Sequence, residues 1–298
     1  MIISKLRTNH IKNPLGFELK DIRFTWITES ETDQYQTEAQ VEVASDESFE
    51  HILFDSGKRS DMNSLSYQPE IELTSRTRYY WRVTVWGDQG GTATSDTAFF
   101  ETAKMNESWE AEWIAAELEK DTHPLLRKSF DVPEGVVSAR AYVSGLGLYE
   151  LFVNGEKAGD EVLAPGFHAY DFWQQYQTYD ITSLLKPGKN AVGAMLGAGM
   201  YKGRFGFDGG FENIYGDQMV FIGEIILICA DGSEQRIVTD ASWQSAPSPV
   251  TFSGIYDGEV YDANKEIDGW ASAEASNEWS GVQTVSLPKD TLTARLSP

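Results

Sequence analysis

The chain holds one cysteine, 24 basic residues against 46 acidic ones, and no long apolar run. Each shortage excludes something. A single thiol, Cys229, rules out an internal disulfide, and its place in the apolar run 221–230 marks it as a small buried core residue. The deficit of positive charge leaves a formal net charge of −22. A surface of that sign repels phosphate backbones and anionic lipids, which argues against nucleic acid and membrane partners. Neutral ligands such as sugars, or cations, remain compatible with it. No segment is long and apolar enough to span a membrane, and residues 1–16 contain no apolar leader core. The expectation is a cytoplasmic protein, or a secreted one from which a signal peptide has been removed. No extended stretch carries the apolar period of a helix, so the fold class read from the sequence is all-β.

What is present is aromatic and turn-rich. The 9 Trp, 13 Tyr and 15 Phe suit all-β cores and sugar platforms equally. The length of 298 residues fits two domains, and the pattern divides near residues 104–108, giving 1–105 and 106–298. In the first part, short strands are expected at 24–27, 37–44, 71–73, 78–86 and 94–101. Along 79–86 the residues Tyr79, Trp81, Val83 and Val85 face one way and Tyr80, Arg82, Thr84 and Trp86 the other. Phe24-Thr25-Trp26, Tyr35-Gln36-Thr37-Glu38 and Tyr79-Tyr80-Trp81-Arg82-Val83 resemble a fibronectin type III or immunoglobulin-like sandwich.

The second part alternates strands and turns. Strands are expected at 137–143, 148–153, 190–196, 219–230 and 234–239, with Asn154-Gly155 and Asp231-Gly232-Ser233 as hairpin turns. Residues 184–190 read as a short helical turn ended by Pro187 and Gly188. This arrangement predicts a jelly roll of the galactose-binding-like kind. The tail, 287–298, reads as a linker. Within 139–206, aromatic, Asp, Asn and Gly residues crowd the connections, which suits a polyol-binding surface built from loops. Phe167, Tyr170, Phe172 and Trp173 could stack on a pyranose while His168 and Asp171 hydrogen-bond its hydroxyls. The same rings could equally cap the sandwich core. Tyr201 and Arg204 are further binding-face candidates. The glycines of 197–206 lack a phosphate-loop context and instead permit tight backbone paths. The loop 207–217 is long enough to face either a ligand or another domain.

Gly145-Leu146-Gly147-Leu148-Tyr149-Glu150-Leu151, Val153-Asn154-Gly155 and Val162-Leu163-Ala164-Pro165-Gly166 form a recognisable pattern. So do Tyr176-Gln177-Thr178-Tyr179-Asp180-Ile181-Thr182, Gly199-Met200-Tyr201-Lys202-Gly203, Tyr256-Asp257-Gly258-Glu259-Val260-Tyr261-Asp262-Ala263 and Gly269-Trp270. Together they resemble the N-terminal region of bacterial α-L-rhamnosidases of glycoside hydrolase family 78, over residues 109–285. The resemblance implies a noncatalytic piece of a glycosidase. In that family an (α/α)6 barrel carries the acid and base of an inverting hydrolysis, and inversion needs two well-separated carboxylates. It also implies partners: a rhamnose-containing carbohydrate, a C-terminal catalytic domain and a homodimer. Related modules hold calcium through an Asp-Asn pair, and Ca2+ wants several oxygens. Here Val153 precedes Asn154, so the pair is broken; Asn154, Asp160 and Asp208 are the candidate ligands, and Asn154 a candidate sugar contact. Met200 stands where the family often has Trp. Carbohydrate recognition by the loops and a purely structural role as a scaffold or interface both remain open at this point.

Overall fold

A computed structural model describes residues 1–296. The chain forms two compact units, one of Met1–Glu107 with the chain from Ala294 on, the other of Ser108–Thr293.

The first unit contains β1 (Ile2–Thr8), β2 (Leu15–Phe17), β3 (Phe24–Glu29), β4 (Gln36–Ala44), β5 (Ile52–Asp55), β6 (Arg78–Gly87), β7 (Thr92–Thr94) and β8 (Ala98–Thr102). β1 pairs with β3, and the larger sheet runs β2-β8-β6-β4-β5, with β7 added to β6. β6 alternates buried and half-buried positions along its whole length, as its sequence predicts. Its inward Trp81 stacks on Phe24 with ring centroids 4.1 Å apart, inside a core that also takes in Trp26, Val41 and Phe100. Two expected strands differ. Residues 71–73 form no ladder; Ile71 and Leu73 attach the segment to the core by their side chains alone. The expected strand 94–101 breaks into β7 and β8. At the break the Ser95 hydroxyl accepts the Val83 N–H at 3.1 Å, replacing a ladder bond.

The second unit contains β9 (Trp113–Ala116), β10 (Pro124–Val132), β11 (Val136–Leu146), β12 (Leu148–Val153), β13 (Glu156–Lys157), β14 (Gln174–Asp180) and β15 (Gly188–Gly197). It continues with β16 (Val220–Cys229), β17 (Glu234–Val238), β18 (Gln244–Pro247), β19 (Val250–Gly254), β20 (Gly258–Tyr261), β21 (Val282–Val285) and β22 (Leu292–Ala294). One sheet runs β13-β12-β15-β10-β18; the other runs β21-β9-β16-β11-β14-β22, with β17 on β16. The main core lies between them, built from inward residues such as Ala141, Leu151, Val192, Phe221 and Leu227. The sandwich is the jelly-roll architecture expected, and the all-β class holds: α1 (Gly199–Lys202) is a single turn. The helical turn expected at 184–190 sits at Thr182–Leu184 and is a 3-10 turn. No helix among the described residues is long and apolar enough to cross a membrane.

β16 is buried on both faces over Val220–Leu227, which explains a run that is apolar but for Gly223 and Glu224. Its outer face carries a second, smaller cluster: Ala111, Trp113, Leu146, Val220 and Ile222, with Trp109, Tyr170, Tyr201 and Tyr215 laid over it. Within β16, Glu224 is fully buried; its carboxylate accepts the backbone N–H groups of Glu110 and of Ala111, the latter at 2.9 Å. Cys229 lies at the strand's end and is half-buried, not in the core. The tail is no free linker in the described residues. Leu287 and Leu292 pack on the smaller cluster, and β22 joins the β14 edge; Ser297 and Pro298 lie outside the described residues.

Gly147 makes the tight turn from β11 to β12 at φ 113°, and a Cβ there would stand 2.3 Å from the Gly197 carbonyl oxygen. Both the backbone angle and the contact with an immobile carbonyl oppose a side chain. Gly147→Ala should therefore cost about 3 kcal/mol of stability, read as a lower urea midpoint. An unchanged midpoint would mean that the two strands can separate here without loss.

Candidate functional site

The β12–β15 register places Leu148 opposite Gly197 and Val153 opposite Val192. The two ends of this ladder define two ends of the sandwich. At the Gly197 end the chain enters α1 and the glycine-rich loop. After β13 the chain doubles back along β12: Ala158 donates to the Leu151 carbonyl at 2.8 Å, and Tyr149 donates to that of Ala164 at 2.8 Å. This return delivers residues 165–173 to the same end. The hairpin of β19 and β20 meets it there through Arg204, described below.

Asn154 is at the other end. With Gly155 it forms the β12–β13 turn, both residues at positive φ, as the Asn-Gly signal predicts. Its side-chain amide donates to the Leu184 carbonyl at 2.8 Å and to Asn190 Oδ1 at 2.7 Å, and its Oδ1 accepts the Ala191 N–H at 3.0 Å. Every polar atom of the side chain is committed to holding the turn. The structure therefore does not bring Asn154 together with Tyr201, Arg204 or Asp208. Asp160 and Asp208 are exposed on separate loops, and among the described residues no three His, Cys, Asp or Glu side chains form a group that could hold a metal ion. Within the candidate calcium set, the register of the sheet keeps Asn154 and the loop that carries Asp208 at opposite ends of the β12–β15 ladder.

At the loop end the rings pack on one another. Tyr170 lies 5.1 Å from Tyr201 and 5.1 Å from Tyr215 between ring centroids, and 5.6 Å from His168. Burial pushes the phenols of Tyr170 and Tyr201 up. Trp173 is half-buried against His168 at 5.3 Å, while Asp171 is exposed. His168 is buried, and its Nε2 faces the backbone N–H and the side-chain amide of Gln175 at 3.4 and 3.1 Å. That arrangement makes Nε2 an acceptor and leaves the proton on Nδ1. Burial holds this imidazole down to about 4.

Arg204 is also engaged. Its Nε and Nη2 donate to the two oxygens of Asp257 at 2.9 and 2.8 Å, and Nη1 donates to the Gly206 carbonyl at 2.7 Å. The guanidinium lies 4.8 Å from the Tyr256 ring centroid, and it holds the Asp257 carboxyl below its usual range. This bidentate pair ties the glycine-rich loop to the β19–β20 hairpin. Lys202 anchors the same loop through Asp121 at 2.7 Å. The loop's tip, Asp208-Gly209-Gly210, turns at positive φ between Phe205 and Phe211, which exchange backbone hydrogen bonds of 2.8 and 2.9 Å. A Cβ at Gly210 would meet the Phe205 carbonyl at 2.5 Å, the tight path its glycines predict.

Two surface features result. Phe167, Phe207 and Phe211 stay 53%, 83% and 76% exposed. Phe167 touches Phe205 and Phe207 touches Tyr256, each pair with ring centroids 5.8 Å apart. Beside them a groove of about 400 Å³ opens between the β12–β15 face of the sheet and the β19–β20 hairpin. Its polar lining includes Glu150, Glu259 and Tyr261, none of them a binding candidate in the sequence. Leu148 and Glu150 share a strand face by simple alternation, but nothing in the sequence signals that residues 250–261 fold over that face.

Comparisons with known proteins agree with this architecture. The family model for the α-L-rhamnosidase N-terminal domain matches residues 134–298, and that for the Rha78A-like N-terminal immunoglobulin domain matches residues 3–106. An α-L-rhamnosidase of Formosa agariphila is 30% identical over 309 residues, covering 96% of this chain and 33% of that protein. One of Alteromonas sp. is 31% identical over 306 residues, covering 94% and 32%. The crystal structure of α-L-rhamnosidase from Aspergillus terreus superposes with a TM-score of 0.89 at 33% identity, over 98% of this chain and 35% of that one. That of the enzyme from Dictyoglumus thermophilum gives 0.87 at 30% identity, over 100% and 36%. An immunoglobulin-like unit with a jelly roll, shared with these enzymes, defines the class: a two-sandwich region of the kind they carry. The chain belongs to the α-L-rhamnosidase N-terminal domain family. It spans about a third of the length of the curated relatives it matches.

The His168 imidazole yields a pH prediction. Its folded pKa of about 4 lies below the ordinary 6.5, so between these values the unfolded chain binds the proton first. Its contribution is intact above about pH 6.5 and is lost as pH falls toward 4, amounting to about 2–3 kcal/mol. His168→Gln should flatten the fall in urea-unfolding free energy over that window relative to wild type. Parallel curves for the two proteins would remove His168 from the account.

Proposed function

We propose that this chain is the noncatalytic N-terminal region of an α-L-rhamnosidase, an enzyme releasing terminal α-L-rhamnose, and that its jelly-roll loop end docks against the rest of that enzyme. One observation carries the docking reading. Phe207 and Phe211 are 83% and 76% exposed, while the polar groups around them are already satisfied within the unit, Arg204 by Asp257 and Lys202 by Asp121. Exposed rings grouped on an otherwise closed surface mark a place where another protein surface sits. The length of the relatives, about three times this chain, supplies a candidate for what covers it.

Phe207→Asp combined with Phe211→Asp tests this. In the isolated chain the double variant should melt as wild type does, since neither ring is buried. In a longer protein that includes the catalytic portion, the pair should lower the melting temperature and rhamnoside turnover together. A longer protein indifferent to both changes would overturn the docking reading.

A second reading, sugar recognition at the same loops, is favoured by Phe167, whose ring is 53% exposed beside the half-buried Trp173. A pyranose stacking there would lose about 1 kcal/mol or more of binding with Trp173→Ala. Unchanged sugar affinity in that variant, measured by calorimetry, would remove stacking at Trp173.

A further inference from the structure

The groove between the β12–β15 face and the β19–β20 hairpin is separate from both readings above. Its volume, about 400 Å³, falls in the range of about 300–1,000 Å³ usual for small-molecule sites. One wall is apolar, with Leu148 and Met195 from neighbouring strands and Leu163 from the returning loop. The Glu150 carboxylate belongs to that same strand face, cross-strand from Met195, and Glu259 and Tyr261 come from the hairpin.

Their chemistry narrows the occupant. No basic side chain lines the groove, and two carboxylates do, so an anion is repelled at close range. Glu150 accepts from Lys157 at 2.5 Å, so its carboxylate is held in place as an acceptor. Tyr261 donates its hydroxyl proton to Glu266 Oε1 at 2.7 Å, so toward the groove its oxygen presents lone pairs. The hairpin side of the groove therefore offers acceptors opposite a mostly aliphatic wall, and the Glu150 carboxylate adds one acceptor within that wall. The complementary molecule has several hydroxyl donors on one edge and a C–H face on the other.

We propose that this groove binds a neutral polyol of sugar-ring size. Its hydroxyls donate to Glu150, Glu259 and the Tyr261 oxygen, and its C–H face packs on Leu148, Met195 and Leu163. No metal and no residue of the aromatic loop end takes part. The site stands whether or not the loop end docks against another part of the enzyme.

Calorimetric titration of the intact chain with L-rhamnose, D-galactose and, as a cationic probe, benzylamine decides it. The expected result is saturable binding of at least one sugar, undiminished by chelator and by Trp173→Ala, and weakened about tenfold by Glu259→Gln. Tyr261→Phe should weaken it as well. Glu259 is exposed, so its variant should keep the wild-type melting curve; if Tyr261→Phe loosens the hairpin, Glu259→Gln alone decides. Binding of neither sugar overturns the proposal. So does sugar affinity that falls with Trp173→Ala and ignores Glu259→Gln, which would place the sugar on the loops. Saturable binding of benzylamine alone overturns the ligand class.

Discussion

β16 has to be buried on both sides, and the second unit is arranged around that need. Its inner face fills the sandwich core in the ordinary way. Its outer face has no third sheet to cover it, so the cover is assembled from irregular chain: Trp109 and Trp113 before and on β9, Tyr201 on α1, and Tyr170 and Tyr215 on the two long loops. This explains why rings that look well suited to hold a sugar also hold one another. An aromatic side chain buries 150–250 Å² or so, and only residues of that size can seal a strand face without a continuous ladder behind them. The aromatic loop end is first a lid on β16. The phenylalanines that project beyond the lid are the surplus, and they are where the surface becomes informative.

The same need fixes the hairpin of β19 and β20. Arg204 leaves the lid and clamps Asp257, which ties the glycine-rich loop to the hairpin. A second pin lies nearby: the Ser253 hydroxyl accepts the Ala198 N–H at 3.1 Å and sits 2.8 Å from His123 Nε2, inside the protein. The hairpin is thereby held off the β12–β15 face instead of lying flat on it, and the groove is the space that remains. A cavity of this kind follows from how covering segments are anchored, not from a binding motif.

That distinction sets what could be read in advance. β6, β12 and β16 announce themselves because one residue in two, or nearly every residue, must be apolar for the layers to close. The Asn154-Gly155 turn was legible for a comparable local reason, since few other residues accept positive φ at both positions. The binding candidates were chosen by residue type, and type does not say which groups are consumed by folding. Asn154 was a ligand candidate and clamps a turn; Arg204 was a binding-face candidate and pairs with a carboxylate 53 positions away. Glu150, Glu259 and Tyr261 were not binding candidates because their convergence depends on a hairpin crossing a sheet about a hundred residues distant in sequence, where no local pattern reaches. Residues 71–73 mark a milder case: the alternation is present, but the segment is attached by side chains and adds no rung to a ladder.

The last described residues carry one more consequence. Arg295 forms a bridge with Phe17 and accepts the Glu18 N–H at 2.8 Å, and its guanidinium lies 5.0 Å from the Phe17 ring centroid. Residues 294–296 therefore belong to the first compact unit although they follow the jelly roll in sequence, and an excision that ended near residue 105 would take the β2 edge's neighbour away with the second unit.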